Sequence, residues 1–113
     1  MKEIASNIDF ADSSYISCET HKENLIVRVS SWDEKEIEIT FINAIQFTYK
    51  QGSLIAGLYE KTNEKTFLEE ILSRYFVKIP EDNPFKIYVI LDIEDFVFFE
   101  IVAESILVLK NDL

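Results

Sequence analysis

Apolar and polar positions alternate most cleanly in "EIEITF", residues 36–41. Ile37, Ile39 and Phe41 share one side and Glu36, Glu38 and Thr40 the other, the period of a half-buried strand. "NLIVRVSS", residues 24–31, repeats the pattern with Leu25, Val27 and Val29 set against Ile26 and Arg28. Between them lies "WDEK", whose acids are poor strand residues. The two runs therefore predict a β-hairpin with a four-residue connection. "SSYISCET", residues 13–20, predicts a strand ahead of it. The odd-numbered apolar phase continues through Ile45, Phe47 and Tyr49, broken at Asn43. One long strand bent near Asn43 and two strands divided by a tight turn both fit. "KQGS" signals a turn, and "LIAGLYEK", residues 54–61, fits either a short strand or one helical turn.

The pattern changes at "TFLEEILSRYF", residues 66–76. Phe67, Leu68, Ile71, Leu72, Tyr75 and Phe76 recur at helical spacing, with Glu69, Glu70, Ser73 and Arg74 away from the stripe. Thr66 and Glu69 fit a capping box, in which each side chain satisfies a backbone N–H at the helix start. Pro80 and Pro84 in "PEDNP" end the segment. Three more strands follow: "FKIYVILD", "DFVFFEIVAE" and "SILVLK", the first two forming a hairpin over "DIED" and the last two breaking at Glu104–Ser105. The order predicts an α+β fold in a single domain spanning residues 1–113: a mainly antiparallel twisted sheet of six or seven strands, with one main helix (66–76) packed on it.

The strand at Asp95–Ser105 poses a packing problem. Phe96 and Phe98 point to one face while Val97, Phe99 and Ile101 point to the other, and the preceding strand is likewise apolar on both sides. One eleven-residue helix is about 16 Å long and covers only part of one face. The second face is covered in one of three ways. The sheet curls onto itself, the N-terminal strands fold over the back, or another chain sits there. In the last case Tyr88 and the segment Phe96, Val97, Phe98 and Phe99 form a homodimer interface.

The formal charge of −10 over 113 residues changes the functional picture. It disfavours nucleic acid and anionic membrane surfaces as partners and attracts basic ones. Residues 1–40 hold nine acids against four bases, 41–80 four against five, and 81–113 eight against two. The two β-rich flanks are acidic and the helical middle is near neutral, so flanks that meet make one acidic surface. The single cysteine, Cys18, rules out an internal disulfide. No apolar run reaches the length of a signal peptide core or a membrane span, so the expected location is cytoplasmic.

Candidate chemistry is sparse. Cys18 and His21 form a C-x-x-H pair, but a structural zinc site needs four such ligands and the chain has no other Cys or His. A buried thiol and a surface imidazole are the plainer reading. There is no G-x-S-x-G elbow and no glycine-rich phosphate loop, Gly52 and Gly57 standing apart. The acids of "LDIEDF" (Asp92, Glu94, Asp95) and the pair Glu81 and Asp82 lack the spacing of a calcium loop. No catalytic, cofactor or metal residue is assigned, and the expectation is a protein that is not an enzyme. Trp32, the sole tryptophan, sits at a predicted turn beside Asp33 and Glu34, a setting like that of interface hot spots. The alternative is a Trp packed over the sheet end.

Small size, acidity and missing catalytic groups fit a binding protein. Through "EIEITFINAIQF" and "FKIYVILDIEDFVFFEIVAESILVLK" the chain resembles the small acidic immunity proteins of bacterial toxin systems. That resemblance implies one-to-one occlusion of a cognate toxin in the producing cell's cytoplasm. The candidate partner-binding residues are Trp32, Asp33, Glu34, Glu36, Glu38, Asp92, Glu94 and Asp95, facing a basic protein. A homo-oligomeric or adaptor domain without a toxin partner is the other reading.

Overall fold

The computed structural model describes residues 1–79 and 82–111. Pro80, and Glu81 of the acid pair with Asp82, lie outside the described residues. Among the described residues the chain forms nine strands and one helix: β1 (Lys2–Glu3), β2 (Ser14–His21), β3 (Asn24–Ser30), β4 (Glu36–Ile42), β5 (Gln46–Tyr49), β6 (Ile55–Lys61), α1 (Lys65–Leu72), β7 (Lys86–Asp92), β8 (Val97–Ala103) and β9 (Ser105–Lys110). The strands make two antiparallel sheets, not one. The five-stranded sheet runs β1-β6-β7-β8-β5 and the four-stranded sheet β2-β3-β4-β9.

The expected β3–β4 hairpin is present, with Leu25 opposite Phe41, Val27 opposite Ile39 and Val29 opposite Ile37. All six side chains are buried, as their alternation requires. The odd phase then breaks at Asn43, which takes a positive φ of 49°. Its N–H donates to the side chain of Asn24 (3.0 Å) and Ala44 N–H donates to the carbonyl of Glu23 (2.8 Å). Those bonds turn the chain out of the four-stranded sheet, and β5 joins the other sheet beside β8. The chain crosses between sheets again at Glu104, where β8 gives way to β9. Residues 55–61 settle as strand rather than helical turn.

The paired sheets answer the packing problem. One face of the five-stranded sheet, with Tyr88, Ile90, Phe99, Ile101 and Ala103, packs on Leu25, Val27, Val29, Ile37, Ile39 and Phe41 of the other sheet. Phe41 and Tyr88 meet across the layers at 5.8 Å between ring centroids. On the opposite face Ile87 and Val102 pack against Ile71 and Leu72 of α1 and against Phe85. Both faces are thus covered within one chain. Tyr88, Phe98 and Phe99 are 2%, 3% and 0% exposed, so the homodimer face expected at Tyr88 and Phe96–Phe99 is not available; only Phe96 stands out in solvent.

The helix is shorter than its apolar stripe. It spans eight residues, with Glu64 at its N-cap and no side-chain cap bond. The expected capping box fails because Thr66 lies inside the first turn rather than before it. At the other end the Ser73 hydroxyl donates to the Glu70 carbonyl (2.7 Å), and Arg74 and Tyr75 N–H groups reach back three residues, to Ile71 and Leu72. This tightened turn ends the helix before Tyr75 and Phe76, which are half-exposed.

Candidate protein-binding surface

The two hairpins that carry most of the candidate residues close in the same way. In the β3–β4 turn, Ser31 N–H donates to the Lys35 carbonyl (2.8 Å) and Glu34 N–H to the Ser31 carbonyl (2.9 Å). In the β7–β8 turn, Asp92 N–H donates to the Phe96 carbonyl (2.9 Å) and Asp95 N–H to the Asp92 carbonyl (3.0 Å). Each is a three-residue loop whose last member has positive φ, 61° at Glu34 and 64° at Asp95, the arrangement of a type I turn followed by a bulge. The expected four-residue connection at "WDEK" is therefore three residues, since Ser31 and Lys35 pair. The loops read Trp-Asp-Glu and Ile-Glu-Asp: one apolar residue, then two acids.

A buried polar side chain anchors each loop. Ser31, 4% exposed, accepts the Lys35 N–H on its hydroxyl oxygen (3.1 Å) and donates that hydroxyl to Asp33. Ser31 thereby holds the Asp33 carboxyl below the usual carboxylate range, and the Lys110 ammonium 3.8 Å away acts in the same direction. Asp92, 3% exposed, does the equivalent work in the second turn. Its Oδ1 accepts N–H groups of Glu94 (2.9 Å) and Phe96 (3.0 Å), and its Oδ2 faces the Ser53 N–H at 3.5 Å. Burial pushes the Asp92 carboxyl up, but the donors from Phe96, Glu94 and Ser53 outweigh it and hold the group low. Gly52 permits this close approach, since a Cβ there would lie 2.6 Å from the Phe98 ring and 3.0 Å from Asp92 Oδ2.

The candidate residues thus divide. Trp32 is 66% exposed, not packed over the sheet end. Glu34, Glu94 and Asp95 are exposed with it. Asp92 is a correction: its oxygens are turned inward to hold its loop, so it presents no charge to a partner. Asp33 is half-buried and partly committed to Ser31 and Lys110. Glu36 and Glu38 lie on the outer face of β4, 3.5 and 3.7 Å from the Arg28 guanidinium, which also holds Glu19. The alternation of β3 and β4 hid this: it shows Arg28 facing outward but not which acids surround it.

The two loops flank one corner of the molecule. Ser14 at the start of β2 pairs with Ser30, next to the first loop. Ser13 bridges Ile55, which is in register with Asp92 at the second. Beneath this corner Tyr15, Tyr49, Phe98 and Phe99 form a ring cluster with centroids 4.9–5.8 Å apart. Burial and a Cys18 side-chain bond push the Tyr15 phenol up to about 12. Phe96, 65% exposed, and Ile93, 51% exposed, add apolar surface. Beside them Lys50, Gln51, Gly52, Ser53, Glu94 and Phe96 line an open cleft of about 430 Å³. The sequence places Ile93 in the "DIED" connection without marking it as exposed surface, because a lone apolar residue in a turn belongs to no motif.

Cys18 and His21 are in register with Val27 and Asn24, so they sit on opposite faces of β2 and cannot share a metal ion. Among the described residues no helix is long and apolar enough to cross a membrane. No protein-family model, curated protein or solved structure matches the chain.

Proposed function

We propose that this chain is a non-catalytic protein-binding domain. Its loops at Trp32–Glu34 and Ile93–Asp95 seat on a basic protein and occlude it, as an immunity-type inhibitor does to a toxin. The observation that supports this reading is the matched pair of loops. Each lifts an apolar residue and exposed acid away from the sheets, Trp32 with Glu34 and Ile93 with Glu94 and Asp95, and each places an acidic residue where glycine is the low-energy choice. Trp32 and Phe96 supply the apolar anchors, and Glu34, Glu94 and Asp95 meet the partner's basic rim. Electrostatic complementarity of this kind mainly speeds association and selects the partner.

The test is affinity capture with the immobilised chain, followed by titration of the captured protein against variants. Trp32→Ala with Glu34→Lys and Asp95→Lys should abolish binding. Charge reversal of Glu69 and Glu70 on α1 should leave it nearly intact. Equal loss from both sets would mean that bulk charge, not these loops, attracts the partner, and the proposal would fail.

A further inference from the structure

The four edge strands differ in how they are guarded. In the five-stranded sheet β1 has two residues and β5 four. In the four-stranded sheet β2 carries a bulge between Tyr15 and Ser17 and the polar residues Glu19 and His21. Short length, bulges and charge are the usual protections against strand addition. Opposite it, β9 is a six-residue edge reading "SILVLK", in unbroken register with β4 and uncharged until Lys110. Leu107 and Leu109 point outward from it, 51% and 55% exposed.

We propose that β9 pairs antiparallel with β9 of a second copy across a two-fold axis at Leu107, joining two four-stranded sheets into one of eight. The backbone phase favours this register. Asn111 N–H donates to the Glu36 carbonyl (2.8 Å), so the odd-numbered residues of β9 face β4 and the amides of Ile106, Val108 and Lys110 face the free edge. A two-fold at Leu107 sets Ile106 opposite Val108, both with free amides, and stacks Leu107 on its own copy on the outer face. It also brings Lys110 to the bend at Glu104, twice by symmetry; the Glu104 amide is committed to the Ile42 carbonyl (2.9 Å), which leaves the carboxylate to pair with the ammonium. Shifting the axis to Ile106 or Val108 keeps the amides in phase but loses that charge match. The residues from Glu104 to Lys110 read acid, polar, apolar, apolar, apolar, apolar, base, which is complementary to itself when reversed. A second copy is therefore the occupant the strand fits. This surface touches the first loop through Lys110, whose ammonium lies 3.8 Å from Asp33, but Leu107→Lys leaves that contact alone, so its outcome does not decide the inhibitor reading.

The test is light scattering on the full chain across a concentration series, with circular dichroism and melting as fold controls. A species of twice 13.2 kDa is expected for the wild type. Leu107→Lys puts two ammonium groups at the axis on an already exposed position, and should give a folded monomer. Lys110→Glu should weaken association about tenfold, because two attractive pairs become repulsive. Adding Glu104→Lys should restore it, a rescue that the Lys110–Asp33 contact cannot supply. A monomer at every concentration, or a dimer that Leu107→Lys leaves intact, overturns the proposal. Failure of the rescue overturns the Leu107 register.

Discussion

Phe96 and Phe99 lie three residues apart in one apolar run, yet the fold assigns them opposite environments, 65% and 0% exposed. Truncation to alanine therefore separates them sharply. Phe99 lies within 4.9 Å of Tyr49, 5.7 Å of Phe98 and 5.8 Å of Tyr15, measured between ring centroids. Removing its ring loses the transfer free energy of the side chain, leaves a cavity between the sheets and ends three ring contacts. Phe→Ala changes of this kind cost about 3–5 kcal/mol. A domain of this size has about 5–15 kcal/mol in total, so Phe99→Ala consumes a large share of it. Phe96→Ala removes a ring already in water and should cost less than about 0.5 kcal/mol. Urea unfolding followed by circular dichroism reads both. With a slope of about 1–3 kcal/mol per molar, the Phe99→Ala midpoint should fall by more than about 1 M while that of Phe96→Ala stays in place. Equal effects, or a Phe99→Ala midpoint that does not move, would refute the assignment of covered and uncovered faces.

Three further outcomes are expected. Glu34→Gly and Asp95→Gly relieve positive-φ positions and should each raise stability by up to about 1 kcal/mol while weakening the captured partner, read by melting and titration on the same samples. Asp92 is held below its ordinary value of 3.8, so its contribution is fully present above that pH and is lost as pH falls through the folded value. Asp92→Asn should therefore flatten the acid limb of a stability–pH curve below about pH 4, with the wild type losing more there. Gly52→Ala forces a methyl into the Phe98 ring and should cost about 1–3 kcal/mol by thermal melt, with no such cost expected at Gln51→Ala, whose side chain is exposed.

The hairpins were legible because one face of each strand in the first pair meets water. Leu25, Val27 and Val29 announce the core by contrast with Arg28. That contrast disappears in β7 and β8, where both faces are covered, and with it the means of knowing what covers them. The division into two sheets rests on Asn43 and Glu104, single residues whose turning role depends on partners far along the chain, Asn24 and Ile42 among them. The helix was readable in its centre, at Leu68, Ile71 and Leu72. Its end was not, because Tyr75 and Phe76 keep the apolar spacing after the backbone has left it. Among the acids, spacing could not separate Asp92, which faces inward to its own loop, from Glu94 and Asp95, which face water. That difference comes from the hydrogen bonds of the turn.

The most direct test of the binding account is amide chemical-shift mapping of the labelled chain as the captured basic protein is added. Docking through the two loops predicts changes concentrated at Trp32–Glu34 and at Ile93–Phe96, with β1 and the helix Lys65–Leu72 unmoved. Changes centred on the helix, or spread evenly over the acidic surface with both loops silent, would contradict it.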